Sequence, residues 1–214
     1  MEKNSKKRIT ADLLIVALMI AGLLIMIIRK ASADDLLSSQ GIENLRYYTV
    51  LSNLFCGITA LADLLLILLK KNTERLLPFK LAAVSAVTVT FSVVAFFFAP
   101  IYGISHLYKG ANFIFHLVEP VVAIAGFLIV RKSHIPFRYC VYAAIPTIIY
   151  GSCYLGNLLI NGIGKWPDTN DFYGFVNWGY PIGIAIFMGI TLFSFLTACL
   201  LRWLTNKIDR LHKI

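Results

Sequence analysis

The chain has 214 residues, of which 58% are hydrophobic and only 14% charged, and its mean hydropathy is +0.76. That balance excludes an ordinary soluble globular domain and points to a single integral-membrane domain over residues 1–214. A formal net charge of +9 would suit nucleic acid, but the basic residues cluster at the ends of apolar segments. They read as topology signals, and no nucleic-acid partner is expected.

Six apolar segments stand out, at about 11–29, 47–69, 79–101, 112–130, 138–162 and 179–203. Each is close to the ~20 residues that a helix needs to cross the hydrocarbon core. The expected fold is therefore all-α, a polytopic six-transmembrane-helix bundle. With the N-terminus inside, the inner ends hold Lys3, Lys6, Lys7, Arg8, Lys70, Lys71, Arg75, Lys80, Arg131, Lys132, Arg138, Arg202, Lys207, Arg210 and Lys213. The outer side keeps only Arg29, Lys30, Arg46, Lys109 and Lys165. This bias predicts cytoplasmic N- and C-termini in the cell membrane.

The first segment imitates a secretory signal peptide, with Lys6-Lys7-Arg8, an apolar run from Leu13 to Ile28, and Ala31-Ser32-Ala33. The run is long for an h-region, and Arg29-Lys30 sits badly before a cleavage site, so a retained helix is expected. An acidic outer loop with Asp34, Asp35 and Glu43 follows.

The second segment carries Thr49, Ser52, Asn53, Cys56, Thr59 and Asp63 at spacings of three or four. These fall on one helix face, which lipid cannot satisfy, so the stripe should face other helices or a wet cavity. In the third segment Ser85, Thr88 and Ser92 read as small residues for close helix packing. The fourth opens Asn112-Phe113-Ile114-Phe115-His116-Leu117-Val118-Glu119-Pro120. His116 and Glu119 share a face, and Pro120 cannot donate to the carbonyl of residue 116, which is expected to be free. Ionisable groups at such depth are functional by default. The fifth presents Tyr150, Tyr154, Asn157 and Asn161 on one face above Pro146. The last outer loop, 165–178, is rich in aromatics that suit a lid at the headgroup level. All four cysteines read as buried free thiols. No Cys, His or carboxylate spacing implies a metal or cofactor.

Depth along the helices brings some of these residues together. Thr49 and His116 both fall ~3–6 Å below the outer boundary, at ~1.5 Å per residue. Ser52, Asn53 and Glu119 lie about a turn deeper, and Tyr102, Tyr154, Asn157 and Asn161 are expected at similar depth. A hydroxyl level with a histidine is the minimum for nucleophilic acyl transfer, with Ser52 or Asn53 donating to the oxyanion and Glu119 orienting the imidazole. Spacing alone ranks a hydrolase and a transport or lipid-binding pocket equally. Asp63 in mid-span suits the second, since proton relays use such residues.

Tyr48-Thr49-Val50-Leu51-Ser52-Asn53, together with Asn112-Phe113 and His116-Leu117-Val118-Glu119-Pro120, resembles the androgen-induced family of integral-membrane hydrolases. The resemblance lies in an aromatic-Thr-x-x-Ser-Asn motif on one span and a His-x-x-x-Pro motif on another. It implies a six-span fold that cleaves fatty acid esters of hydroxy fatty acids, with Thr49 as nucleophile and His116 as its partner. The implied ligand is a fatty acyl ester or other membrane lipid. The last outer loop, Asp171-Phe172-Tyr173-Gly174-Phe175, departs from the Tyr-Pro-rich segment expected there.

Overall fold

A computed structural model describes residues 2–28, 41–130, 134–165 and 169–211. Six helices are long and apolar enough to span a membrane, and no strand occurs among the described residues. They are α1 (Ser5–Ile28), α2 (Tyr48–Leu68), α3 (Glu74–Tyr102), α4 (Ala111–Ile129), α5 (Arg138–Asn161) and α6 (Tyr180–Asp209). The fold is the expected all-α bundle. The expected loop residues Asp34 and Asp35, Arg131 and Lys132, and Trp166 to Asp168 lie outside the described residues.

The third helix is the centre. It packs against α2, α4, α5 and α6, while α1 closes the bundle against α2 and α4. Its sequence suits that place: Leu81, Ala82, Ala83, Ser85, Ala86 and Val87 are all buried. Small residues let backbones approach where lipid offers no hydrophobic drive for association. Ser85 and Thr88 return their hydroxyls to the carbonyls of Leu81 and Val84, so both are satisfied within α3. On α2, Gly57 leaves the space into which Met19 of α1 packs, and a Cβ there would collide with the Met19 side chain.

The first and last helices reach further than hydropathy suggests. The helix that begins α1 starts at Glu2, not near residue 11, and the helix of α6 runs to Leu211 rather than 203. At the start of α1 the reason is pairing. Arg8 donates from Nε and Nη2 to Asp63 at 2.6 and 2.5 Å, and Lys80 bridges Asp12 and Asp63. Polar turns join the bundle because their charges are compensated there. Two of the residues counted as topology signals, Arg8 and Lys80, are thus also structural.

Two helices change register just before a proline. In α3 a π-helical turn spans Val94–Phe98 ahead of Ala99-Pro100, and in α4 one spans Ile114–Val118 ahead of Glu119-Pro120. The cysteines are all free, but not all buried: Cys56 and Cys140 are, Cys199 is half-buried and Cys153 is exposed.

Candidate functional site

The π turn in α4 decides how His116 and its neighbours are held. In this register the N–H of Glu119 bonds the carbonyl of Ile114. The next donor in line would be residue 120, which is proline, so the carbonyl of Phe115 has no donor from the π register. The α-register donor to the carbonyl of residue 116, to which the sequence pointed, is also residue 120 and is missing for the same reason. Asn53 fills the gap, donating from Nδ2 to the Phe115 carbonyl at 3.0 Å. The same Nδ2 donates to the carbonyl of Thr49, 2.7 Å away. One amide therefore ties the turn that carries Thr49 to the residue beside His116.

An amide nitrogen has two hydrogens, and both are spent. Asn53 cannot give one to an oxyanion in this arrangement, so its part is to position two backbones. Ser52 is committed as well. Its hydroxyl reaches the Thr49 carbonyl at 3.0 Å and shares a hydrogen bond with Thr90 of α3, also at 3.0 Å.

His116 is buried, at 8% exposure. Its Nδ1 lies 2.7 Å from the carbonyl of Leu107. A carbonyl only accepts, so Nδ1 carries the proton and Nε2 is left as the basic nitrogen. The loop is shaped for this contact. Leu107 ends a short helix, Ile104–Leu107, set between Gly103 (φ 83) and Gly110 (φ 55), a left-handed region that favours glycine. The Tyr108 ring meets the imidazole edge to face, with centroids 6.2 Å apart.

Glu119 does not play the part expected of it. It is fully buried, and neither carboxyl oxygen has a hydrogen-bond partner among the described residues. The imidazole is oriented by Leu107 instead. Thr49 is half-buried, Asn112 is exposed, and Tyr102 is 48% exposed.

Tyr154 and Asn157 make their hydrogen bonds away from Thr49 and His116. Tyr150 of α5 already reaches the carbonyl of Arg46, which precedes α2, so residues a turn further along α5 rise past the level of Thr49. Asn157 accepts a hydrogen bond from Asn161 at an exposed site. Tyr154 donates to Asp171 at 2.5 Å and supports the loop before α6. Asp171 also receives the N–H groups of Phe175 and Val176 at 2.9 and 3.0 Å, which fixes a tight turn.

That turn lays Phe172 and Tyr173 against Tyr47. The Tyr173 hydroxyl accepts the N–H of Tyr48 at 3.0 Å, satisfying one of the free donors that open α2. Burial pushes the Tyr173 phenol above its usual range, keeping it neutral. Arg46 lies over the Phe172 ring, 4.9 Å from its centroid. The aromatic loop therefore sits directly over the start of α2, one residue from Thr49. Neither Asp171 nor Arg46 was singled out as a site residue from sequence. The available signal for Asp171 was an aspartate three residues before Gly174 in a loop, a residue type whose carboxylate takes the N–H groups of a following turn.

Among the described residues no group of three or more His, Cys, Asp and Glu could hold a metal. No family model, no curated protein and no solved structure matches the chain.

Proposed function

We propose that the chain is an integral-membrane hydrolase of fatty acyl esters, with Thr49 as nucleophile and His116 as general base. The observation that carries this reading is the His116–Leu107 contact, which leaves Nε2 as the free acceptor that a base requires. The Asn53 amide supports it by tying the Thr49 carbonyl to that of Phe115, beside the histidine. In the reaction Nε2 takes the Thr49 proton as Oγ1 attacks the ester carbonyl. It returns the proton to the departing alkoxide, and water then releases the acid from the acyl-threonine. The aromatic loop over α2 suits an acyl substrate. The bias of basic residues supports cytoplasmic termini in the cell membrane, with Thr49 in the outer half.

A fluorophosphonate probe tests the reading on the purified protein. Labelling is expected in the wild type, lost in Thr49→Ala and kept in Ser52→Ala. Labelling that follows Ser52 or Cys56 would move the nucleophile a turn deeper. No labelling and no turnover, with lipid bound intact, would favour a lipid-binding protein or a proton-coupled transporter over the enzyme.

A further inference from the structure

At the end of the bundle away from Thr49, four helices wall a cavity of about 240 Å³. Its lining changes along the helix axes. The mouth has Arg8 and Asp12 from α1 and Glu74 and Lys80 from α3, while Ile15 of α1, Val84 of α3 and Ala123 of α4, further along the same helices, line an apolar inner end. An apolar cavity of about 150 Å³ already holds benzene, so this one takes a small organic molecule but not a two-chain lipid.

The charges at the mouth are not all spent. Lys80 gives its donors to both oxygens of Asp12 and to Asp63. Among the described residues Arg8 uses Nε and Nη2 alone, on Asp63. A guanidinium has five N–H donors, so three remain. Glu74 is exposed at the rim, and its carboxylate has no ion-pair partner among the described residues. With Asp63 behind the wall, two cations face three carboxylates. A lone anion on Arg8 would add another negative charge beside Glu74. A lone cation would leave the Arg8 donors idle. A molecule bearing both charges on an apolar body matches the mouth and the inner end together.

We propose that this cavity binds a small zwitterion with an apolar body, of the α-amino acid class. Its ammonium pairs with Glu74, its carboxylate takes the remaining N–H groups of Arg8, and its side chain points toward Ile15, Val84 and Ala123. The site is separate from the ester chemistry and does not rest on it.

Calorimetry on the purified full chain in detergent tests this, with L-phenylalanine as probe and 3-phenylpropionate and phenethylamine as analogues that each keep one charge. Saturable binding of L-phenylalanine is expected, roughly fivefold tighter than either analogue, the scale of a solvent-accessible ion pair. Glu74→Gln should weaken L-phenylalanine by a similar factor without weakening 3-phenylpropionate, which a folding defect would not do. Thr49→Ala should bind L-phenylalanine as the wild type does, whatever becomes of ester cleavage. No binding of L-phenylalanine to the wild type, or full affinity in Glu74→Gln, overturns the proposal. Binding of dihexanoyl phosphatidylethanolamine without any binding of the amino acid overturns it too, and assigns the cavity to a lipid headgroup.

Discussion

The side-chain amide of Asn53 on α2 replaces the backbone donor that Pro120 removes from α4, bonding the Phe115 carbonyl at 3.0 Å. Asn53→Leu is close in volume and cannot make this bond. A buried carbonyl left bare costs about 1–3 kcal/mol. Thermal unfolding in detergent should show that loss, and ester cleavage should fall with it, because the Thr49 turn is no longer tied to α4. Unchanged stability in Asn53→Leu would mean that the carbonyl finds another donor.

Thr49→Ala, His116→Ala and the double variant should leave similar residual rates on a fluorogenic fatty acyl ester, since a nucleophile and its base act as a unit. Losses that multiply in the double variant would show that the two residues act separately.

Glu119 touches neither the imidazole nor any other hydrogen-bonding group among the described residues. Glu119→Gln should therefore keep ester cleavage within about threefold and should not lower the unfolding temperature, because a buried neutral amide costs no more than an unpaired carboxyl. A loss as large as that of His116→Ala would put Glu119 into the chemistry.

Asp63 is the shared acceptor of Arg8 and Lys80. Asp63→Asn leaves two cations short of a partner, and breaking a buried pair in this way costs about 3–5 kcal/mol. Unfolding in detergent should report it. Per folded molecule, ester cleavage should persist, since Asp63 lies roughly 21 Å along α2 from Thr49 at ~1.5 Å per residue. Cleavage abolished as fully as in Thr49→Ala would favour a proton-coupled transporter.

Cysteine tagging in a Cys153→Ser background tests orientation, because Cys153 is itself exposed. A cysteine placed at Asn170 should react from outside the cell, and one placed at Asn72 only after permeabilisation. The reverse pattern would invert the bundle.

The helices were legible because apolar length is a local property, and their number and order follow from it directly. The pairing of Arg8 with Asp63 was not. A basic residue ahead of an apolar run carries the same sequence signal whether it waits in water or folds into the bundle. Tyr154 and Asn157 were misplaced for a related reason: depth was counted from the outer end of each segment, as if all ended level, whereas α5 rises past the start of α2. His116 and Asn53 were legible as polar residues on buried faces. Their partners were not, because Leu107 and Phe115 accept through the main chain, which every residue has.

The contact between Arg8 and Asp63 joins residues 55 apart in the chain, and that between Lys80 and Asp12 joins residues 68 apart. During synthesis α1 leaves the ribosome well before either partner exists. Neither contact can form within α1 alone: the first needs the end of α2 and the second the start of α3. The charged opening turns of α1 therefore have their partners only once all three helices are in place, and the network acts as a check that the three have met in register.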